Sequence, residues 1–219
     1  MMRRQVFVTG GTGYLGRPLV AELLARGHAV RALVRPGSER RLPIGAVPVP
    51  GNALDASSFA SQISPSGTLV HLVGTPRPSP AKAAEFRAVD LASIGAAVAA
   101  AIQAKVAHLV YVSVAQPAPV MRAYVAVRQE GEALIRASGV PATFVRPWYV
   151  LGPGHRWPYL LVPLYAALRW LPATRDGARR LGLVTRPQMI RALIAAVELG
   201  PDGIRVVDVE QIRSAKLPA

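Results

Sequence analysis

The sequence contains no cysteine, so disulfide bonds, thiolate metal sites and cysteine nucleophiles are all excluded. Its four histidines lie far apart along the chain, and its 12 acidic residues are few and dispersed. Neither pattern has the ligand spacing of a metal site, and the G-x-S-x-G elbow of a serine hydrolase is also missing. We therefore expect no metal centre, no carboxylate dyad and no thiol chemistry.

Long apolar runs are missing as well, since none reaches the roughly 18 residues that a membrane helix needs. The longest are 91–102, typical of a buried helix, and 157–168, which is interrupted by Pro158 and Pro163. The second run is compatible with a core, a partner surface or a membrane-interface patch. The apolar stretch near the first residue is too short for a signal peptide, so the sequence predicts a cytoplasmic protein without a transmembrane segment.

Acidic charge is scarce: 26 basic side chains against 12 acidic ones give a net charge of +14. Such an excess favours nucleic acid, anionic membranes or phosphorylated ligands as partners. The basic residues are nearly all arginine, however, and they are scattered along the whole chain. We therefore expect no nucleic-acid binding, which would otherwise weaken steeply with added salt.

Strand-like and helical patterns alternate along the first two thirds of the chain, and a hydrophobic content of 51% supplies a core. Strands are predicted at 5–9, 29–34, 46–50, 68–74, 108–114 and 142–147, and helices at 14–26, 55–63, 81–104 and 123–137. This alternation, with nearly continuous apolar strands, predicts an α/β protein with a Rossmann-like, doubly wound parallel sheet.

Beyond residue 147 prolines interrupt the pattern, until a helix at 186–199 and a strand at 204–209 are again predicted. We therefore expect an NAD(P)-binding Rossmann domain over 1–147. A small C-terminal substrate or cover lobe is expected over 148–219, packed as one unit with the first domain.

A glycine-rich segment, VTGGTGYLGRP, follows the first strand and leads into the first helix, with Gly10, Gly13 and Gly16 spaced G-x-x-G-x-x-G. The first glycine allows a tight turn, the second lets the backbone approach a pyrophosphate, and the third permits close packing of helix on strand. The helix that begins near Tyr14 points its free N–H groups and positive dipole end at the phosphates. The segment predicts a dinucleotide site.

The end of the second strand selects the nucleotide in such proteins, because NAD-selective sites place an acid there, on the ribose 2′-hydroxyl. Here Arg35 follows the strand directly, and a guanidinium pairs well with a 2′-phosphate. Ser38, Arg40 and Arg41 are placed to assist. NADP(H) is therefore favoured over NAD(H).

The segments TGGTGYLG, ALVR, GNALD, VHLVG, YVSV and ATFVRP occur in this order, with Tyr124 before the last. In this the chain resembles the short-chain dehydrogenase/reductase superfamily. Within it, the chain is similar to the atypical, NAD(P)H-binding branch related to NmrA-like and epimerase-like proteins, over about residues 4 to 150. The resemblance implies these cofactor contacts: Gly10, Thr12, Gly13, Tyr14, Leu15 and Gly16 at the pyrophosphate, Arg35 at the 2′-phosphate, Asn52 and Ala53 at the adenine, Leu72, Val73 and Gly74 beneath the ribose, and Pro147 to Val150 beside the nicotinamide.

For catalysis the resemblance implies a hydroxyl that orients a carbonyl, a tyrosine that exchanges a proton with it, and a lysine. The lysine lowers the pKa of the tyrosine, ordinarily about 10, and binds the nicotinamide ribose. Ser113 and Tyr124 match the first two residues, but Arg128 stands where the lysine of Tyr-x-x-x-Lys is expected. An arginine keeps the positive charge, whereas its planar fork does not reproduce the ribose contact of a lysine.

The resemblance thus implies an NADPH-dependent oxidoreductase that delivers hydride to a small, apolar organic acceptor. The apolar segment WYVLGPGHRWPYLL would form a wall of the substrate pocket, with His155 on a turn beside it. The alternative is a non-catalytic NADP(H)-binding redox sensor or assembly factor that works with a partner protein. The missing lysine favours this alternative, and the retention of Ser113 and Tyr124 opposes it. The long helices that flank the sheet are suited to pairing in a homodimer.

Overall fold

Nine strands of the computed structural model, which describes residues 3–65, 67–153, 180–200 and 202–217, form two parallel sheets. In chain order they are β1 (Gln5–Thr9), β2 (Ala29–Val34), β3 (Val47–Pro50), β4 (Thr68–His71), β5 (His108–Val112), β6 (Ala142–Val145), β7 (Tyr149–Leu151), β8 (Leu183–Thr185) and β9 (Ile204–Val207). The main sheet has the order β3-β2-β1-β4-β5-β6-β9, and β7 pairs with β8 in the second. The crossing point between β1 and β4, where the strand order reverses, is where doubly wound sheets bind ligands. The predicted Rossmann-like fold is confirmed.

Helices cover both faces of the main sheet. They are α1 (Gly16–Ala25), α2 (Ala83–Glu85), α3 (Ala92–Gln103), α4 (Arg122–Ala137), α5 (Arg186–Leu199) and α6 (Val209–Ser214). A π-helical turn over Phe86–Leu91 joins α2 to α3, so the single helix predicted over 81–104 contains an irregularity. Such π turns are rare and are often found at functional sites.

Alternate residues of each strand enter two separate apolar layers. One layer packs on α3 and α4 and includes Phe7, Leu69, Leu109, Tyr111, Phe144, Ile94 and Ile135. The other packs on α1 and α5 and includes Val6, Val8, Val70, Val110, Val145, Leu19, Leu23 and Leu193. Because every inner strand is buried on both faces, the strands are continuously apolar, as expected for a parallel sheet.

The helix predicted over 55–63 is wrong in type. The segment forms two 3₁₀ turns, Ala56–Ser58 and Ala60–Gln62. Asp55 is the predicted cap and accepts a hydrogen bond from the Ser57 N–H, but the Ser58 hydroxyl donates to the Asp55 carbonyl at 2.7 Å. Such serine-to-backbone bonds compete with the helical ladder and favour short turns.

The C-terminal third of the chain contributes to the same body. β9 pairs with β6 at the edge of the main sheet, and α5 packs beside α1. The predicted helix over 186–199 is confirmed, and it begins at a capping box in which Thr185 and Gln188 bond reciprocally. No helix among the described residues is both long and apolar enough to cross a membrane. The segment 157–171 and His155 lie outside the described residues.

His71 is fully buried in β4, where its ring nitrogens bond to the Thr9 hydroxyl at 2.9 Å and the Ser93 hydroxyl at 3.3 Å. Burial, and to a smaller extent the charge of Arg128, lowers the pKa of His71 to about 3 from its ordinary 6.5. The folded protein therefore keeps His71 neutral at pH values where the unfolded chain is already protonated.

We expect this histidine to make the protein sensitive to acid. Below pH 6.5 the unfolded state binds a proton at His71 that the folded state does not, so the free energy of unfolding falls by about 1.4 kcal/mol per pH unit as the pH approaches 3. The free energy of unfolding of a His71→Leu variant should fall less steeply over this range, as measured by urea denaturation. His108, whose burial lowers its pKa to about 4, contributes equally to both proteins. Parallel curves for the two proteins would contradict the expectation.

Candidate functional site

The glycine loop lies between the carboxyl end of β1 and the start of α1. Gly10 has a φ of +75°, a conformation that L side chains rarely adopt, and its carbonyl accepts the Gly13 N–H at 3.0 Å. A Cβ at Gly16 would collide with that same carbonyl oxygen, and one at Gly13 would lie 3.1 Å from it. Leu15 offers no side-chain cap to α1, and although the Arg17 N–H donates to the Gly13 carbonyl at 3.1 Å, other N–H groups at the helix start are left for another acceptor. This cradle fits a pyrophosphate.

The segment after β4 runs beside this loop. The Leu72 N–H donates to the Thr9 carbonyl at 3.2 Å, and a Cβ at Gly10 would lie 3.1 Å from the Leu72 backbone. Leu72, Val73 and Gly74 are half-buried. The predicted pyrophosphate and ribose residues are therefore adjacent in space.

The residues predicted at the adenine end lie on loops after β2 and β3. Arg35 is exposed directly after β2, and its carbonyl accepts the Ser38 N–H at 3.0 Å. Glu39 is the acidic residue of this loop, and its carboxylate accepts a hydrogen bond from the Gly37 N–H at 3.1 Å. Asn52 is exposed, and Ala53 beside it is half-buried. Because β2 and β3 follow β1 in the sheet, these residues lie on one side of the glycine loop.

Arg128 is buried, with only 5% of its surface exposed. Its guanidinium forms an ion pair of 2.5 Å with Asp90, which lies in the π turn and is 1% exposed. It also donates to the Val112 carbonyl at 3.0 Å, and a Cβ at Gly74 would collide with it. Burial opposes the charge of Arg128, but Tyr124, Tyr111 and Asp90 together raise its pKa above the ordinary value, so the guanidinium is permanently positive.

Tyr124 lies one helical turn above Arg128 on α4 and is half-buried. The centre of its ring is 5.1 Å from the Arg128 guanidinium carbon and 5.0 Å from the centre of the Phe86 ring. Thus the predicted pair of phenol and cation is assembled, with the phenol outermost.

Ser113 does not share this cluster. It is 2% exposed, and its hydroxyl donates to the Glu132 carboxylate on α4 at 2.6 Å. Glu132 also accepts bonds from Gln116 at 3.0 Å and from Arg146 at 2.8 and 2.5 Å. The proton of Ser113 is therefore directed at the helix, not at an open pocket.

The segment after β6, residues 147–150, lies beside the segment after β5. Pro147 is buried, and its carbonyl accepts the Ala115 N–H at 2.9 Å, which ties the segments after β5 and β6 together. Trp148, Tyr149 and Val150 are half-buried, and the two aromatic ring centres are 5.6 Å apart.

Asp90, Thr75 and Glu132 were missed by sequence reasoning. The Asp90 carboxylate binds the N–H and the hydroxyl of Thr75 at 2.9 and 2.6 Å, in addition to Arg128. A signal existed, because an acid within the apolar helical stretch AVDLASI is rarely buried without a cationic partner. No group of three or more acidic, histidine or cysteine side chains able to hold a metal ion occurs within the described ranges.

A parallel sheet with a glycine-rich loop between strand and helix at its crossing point is typical of dinucleotide-binding proteins of the Rossmann class. Residues 10–156 match the model of a family described as NAD(P)H-binding, and the chain belongs to that family. The resemblance to the atypical branch of the short-chain dehydrogenase/reductase superfamily is thereby confirmed.

Two curated relatives are reductases. The 4-hydroxy-2-methyl-3-oxo-4-farnesyl-3,4-dihydroquinoline-1-oxide ketoreductase of Stigmatella aurantiaca is 28% identical over 225 residues, covering 91% of this chain and 66% of the relative. The ceramide reductase of Caulobacter vibrioides is 30% identical over 186 residues, covering 81% of this chain and 56% of the relative. The chain thus spans between about half and two thirds of the length of these proteins.

Solved structures show the same fold. A UDP-galactose 4-epimerase superposes with a TM-score of 0.70 at 19% identity, covering 94% of this chain and 80% of the epimerase. The Bordetella bronchiseptica enzyme WbmH in complex with NAD⁺ superposes with a TM-score of 0.68 at 20% identity, covering 93% of this chain and 75% of WbmH.

Proposed function

We propose that the protein is an NADPH-dependent oxidoreductase of the atypical short-chain dehydrogenase/reductase type, acting on a small, apolar organic carbonyl or related acceptor. The observation that carries the proposal is the half-buried Tyr124 ring, whose centre lies 5.1 Å from the guanidinium carbon of Arg128, a buried cation that packs against Gly74 after β4. The reductase relatives and the half-buried aromatic residues after β6 support an apolar substrate. A cytoplasmic location and a homodimer remain part of the proposal.

In this mechanism the residues of the chain position the acceptor and supply its proton. When bound, the reduced nicotinamide would supply the hydride. Tyr124 donates its proton to the acceptor oxygen, and Arg128 stabilises the tyrosinate that remains. Asp90 holds the guanidinium in place and also offsets part of its charge, so Arg128 acts more weakly on the phenol than an unpaired lysine would. An orienting role for Ser113 requires its bond to Glu132 to reorganise first.

Arg35 is proposed to bind the 2′-phosphate of NADP(H). Replacing Arg35 with glutamine removes a charge-assisted contact of about 1.5–3 kcal/mol, so the dissociation constant of NADPH should rise about 10- to 100-fold. The dissociation constant of NADH, which lacks the 2′-phosphate, should change little. Isothermal titration calorimetry measures both. An equal rise in the dissociation constants of NADPH and NADH would show that Arg35 has a different role.

A second candidate, a non-catalytic NADP(H)-binding sensor or assembly factor, is favoured by one observation. Arg128 is paired with Asp90 and the Ser113 hydroxyl is engaged by Glu132, so two of the three expected catalytic groups already have protein partners. Such a protein would bind its partner with an affinity that differs between the oxidised and reduced cofactor.

Transfer of deuterium tests the leading proposal. NADPH deuterated at C4 on either face is incubated with the protein and a set of apolar ketones, aldehydes and quinones. A reductase transfers deuterium from one face only, and mass spectrometry detects it in the alcohol or hydroquinone product. Tight NADPH binding without deuterium in any product would instead support the non-catalytic candidate.

A further inference from the structure

Arg186, the first residue of α5, lies against the glycine loop from the C-terminal part of the chain. Its guanidinium carbon is 5.4 Å from the centre of the Tyr14 ring. Gly152, just after β7, fits closely between the two: a Cβ there would collide with the Tyr14 hydroxyl and lie 3.2 Å from the Arg186 Cβ. Three distant segments of the chain therefore meet where Arg186 stacks on the loop.

The guanidinium of Arg186 is half-buried and has no counter-charge among the described residues, in contrast to three other buried or half-buried arginines. Arg26 pairs with Glu198, Arg128 with Asp90, and Arg146 with Glu132. Across the described ranges, Arg186 has neither a hydrogen-bond acceptor nor an ion-pair partner. The guanidinium carbon lies over the Tyr14 ring, a contact that does not use the N–H groups as hydrogen-bond donors, so these groups are available to an anion.

The location makes an anion the expected partner. Arg186 stacks on a residue that lies between Gly13 and the start of α1, where the helix dipole is already positive. A positive side chain beside a positive helix end is unfavourable unless an anion binds both. The pyrophosphate of a dinucleotide, cradled by this loop, carries two such charges.

We propose that Arg186 is a pyrophosphate-binding residue that reaches the dinucleotide from the C-terminal part of the chain, with Tyr14 holding its guanidinium in position. The proposal rests on dinucleotide binding at the glycine loop and is independent of turnover. Because the pyrophosphate is common to both nicotinamide nucleotides, Arg186 sets the affinity for the dinucleotide as a class, whereas Arg35 distinguishes its members.

Calorimetric titration of an Arg186→Gln variant tests this assignment with four probes: NADPH, NADH, ADP-ribose and adenosine 2′-monophosphate. We expect the dissociation constants of the first three, which contain the pyrophosphate, to rise about 10- to 100-fold, since charge-assisted bonds to phosphate are lost. The dissociation constant of adenosine 2′-monophosphate should be unchanged. Arg186→Lys should recover part of the affinity. Arg191→Gln on the same helix is the matched control and should bind all four probes as the wild type does.

The possible outcomes separate this inference from the proposed function. Unchanged binding of ADP-ribose by Arg186→Gln would overturn the role of Arg186 and leave the reductase proposal intact. Equal weakening of all four probes, adenosine 2′-monophosphate included, would also overturn it, because that result indicates a distorted site. A wild-type protein that binds neither NADPH nor NADH would overturn both.

Discussion

Replacing Arg128 with leucine should lower the free energy of unfolding by about 3–5 kcal/mol, because the change leaves the Asp90 carboxylate buried without its counter-charge. The two side chains are 6% and 0% exposed, so water cannot take over from the lost partner. Van der Waals contacts with the Tyr111 and Tyr124 rings are partly retained by leucine, which isolates the electrostatic loss. Urea denaturation at neutral pH measures the effect.

A matched control lies on the same pair of helical segments. Arg87 in the π turn pairs with Glu130 on α4 at 2.9 Å, but these side chains are 61% and 44% exposed. Arg87→Leu should therefore cost no more than about 1 kcal/mol. The double variant Arg128→Leu with Asp90→Leu should regain much of the stability that the single variant loses, since no charge is then left buried. An Arg128→Leu variant as stable as Arg87→Leu would show that the buried pair has no such role.

Tyr124→Phe should reduce turnover about 10²- to 10⁴-fold, the usual contribution of one positioned proton donor. The ring remains, and with it the contact of 5.0 Å to Phe86 and the stacking over Arg128. Within the described part of the chain the Tyr124 hydroxyl donates to no acceptor, so its removal costs no internal hydrogen bond. Stability and NADPH affinity should therefore stay near those of the wild type, measured by denaturation and calorimetry.

Tyr111→Phe supplies the comparison. Tyr111 also contacts Arg128, 5.6 Å from its ring centre, but it is fully buried in β5 and cannot reach a substrate. It should lose little turnover. If Tyr124→Phe transfers hydride as fast as the wild type, Tyr124 is not the proton donor. If neither wild type nor variant transfers hydride and both retain partner binding, the sensor interpretation is supported.

The features that the sequence predicts well are those carried by neighbouring residues. The strand, glycine loop and helix from Gln5 to Ala25 form a local unit that the spacing of its residues specifies. The structure contains all three, with the helix beginning at Gly16, two residues after the predicted start. The 3.6-residue pattern of 186–199 likewise predicts α5 to the residue, and its capping box joins Thr185 and Gln188, which are only three positions apart.

The features that the sequence does not predict join residues far apart. The ion pair between Asp90 and Arg128 spans 38 positions, and it joins α4 to the π turn that packs against it. The bond from Ser113 to Glu132 depends on how α4 lies on the sheet. The resemblance implies that Ser113, Tyr124 and Arg128 lie near one another. Only the packing of α4 on the sheet decides which of these side chains is open to a pocket and which is bonded to other residues of the protein.

The Asp90 carboxylate binds Thr75 after β4 and Arg128 on α4, and so links three segments around the proposed nicotinamide end. Arg35 and Asn52, which are proposed to contact the adenine end, are instead exposed. The two halves of the cofactor should therefore differ in the entropy of binding. In the proposed site the nicotinamide half would enter a region already ordered by buried contacts, while the adenine half would immobilise exposed side chains as it binds. Substitutions that stiffen loops should consequently change the affinity for the cofactor more when they lie on the adenine side.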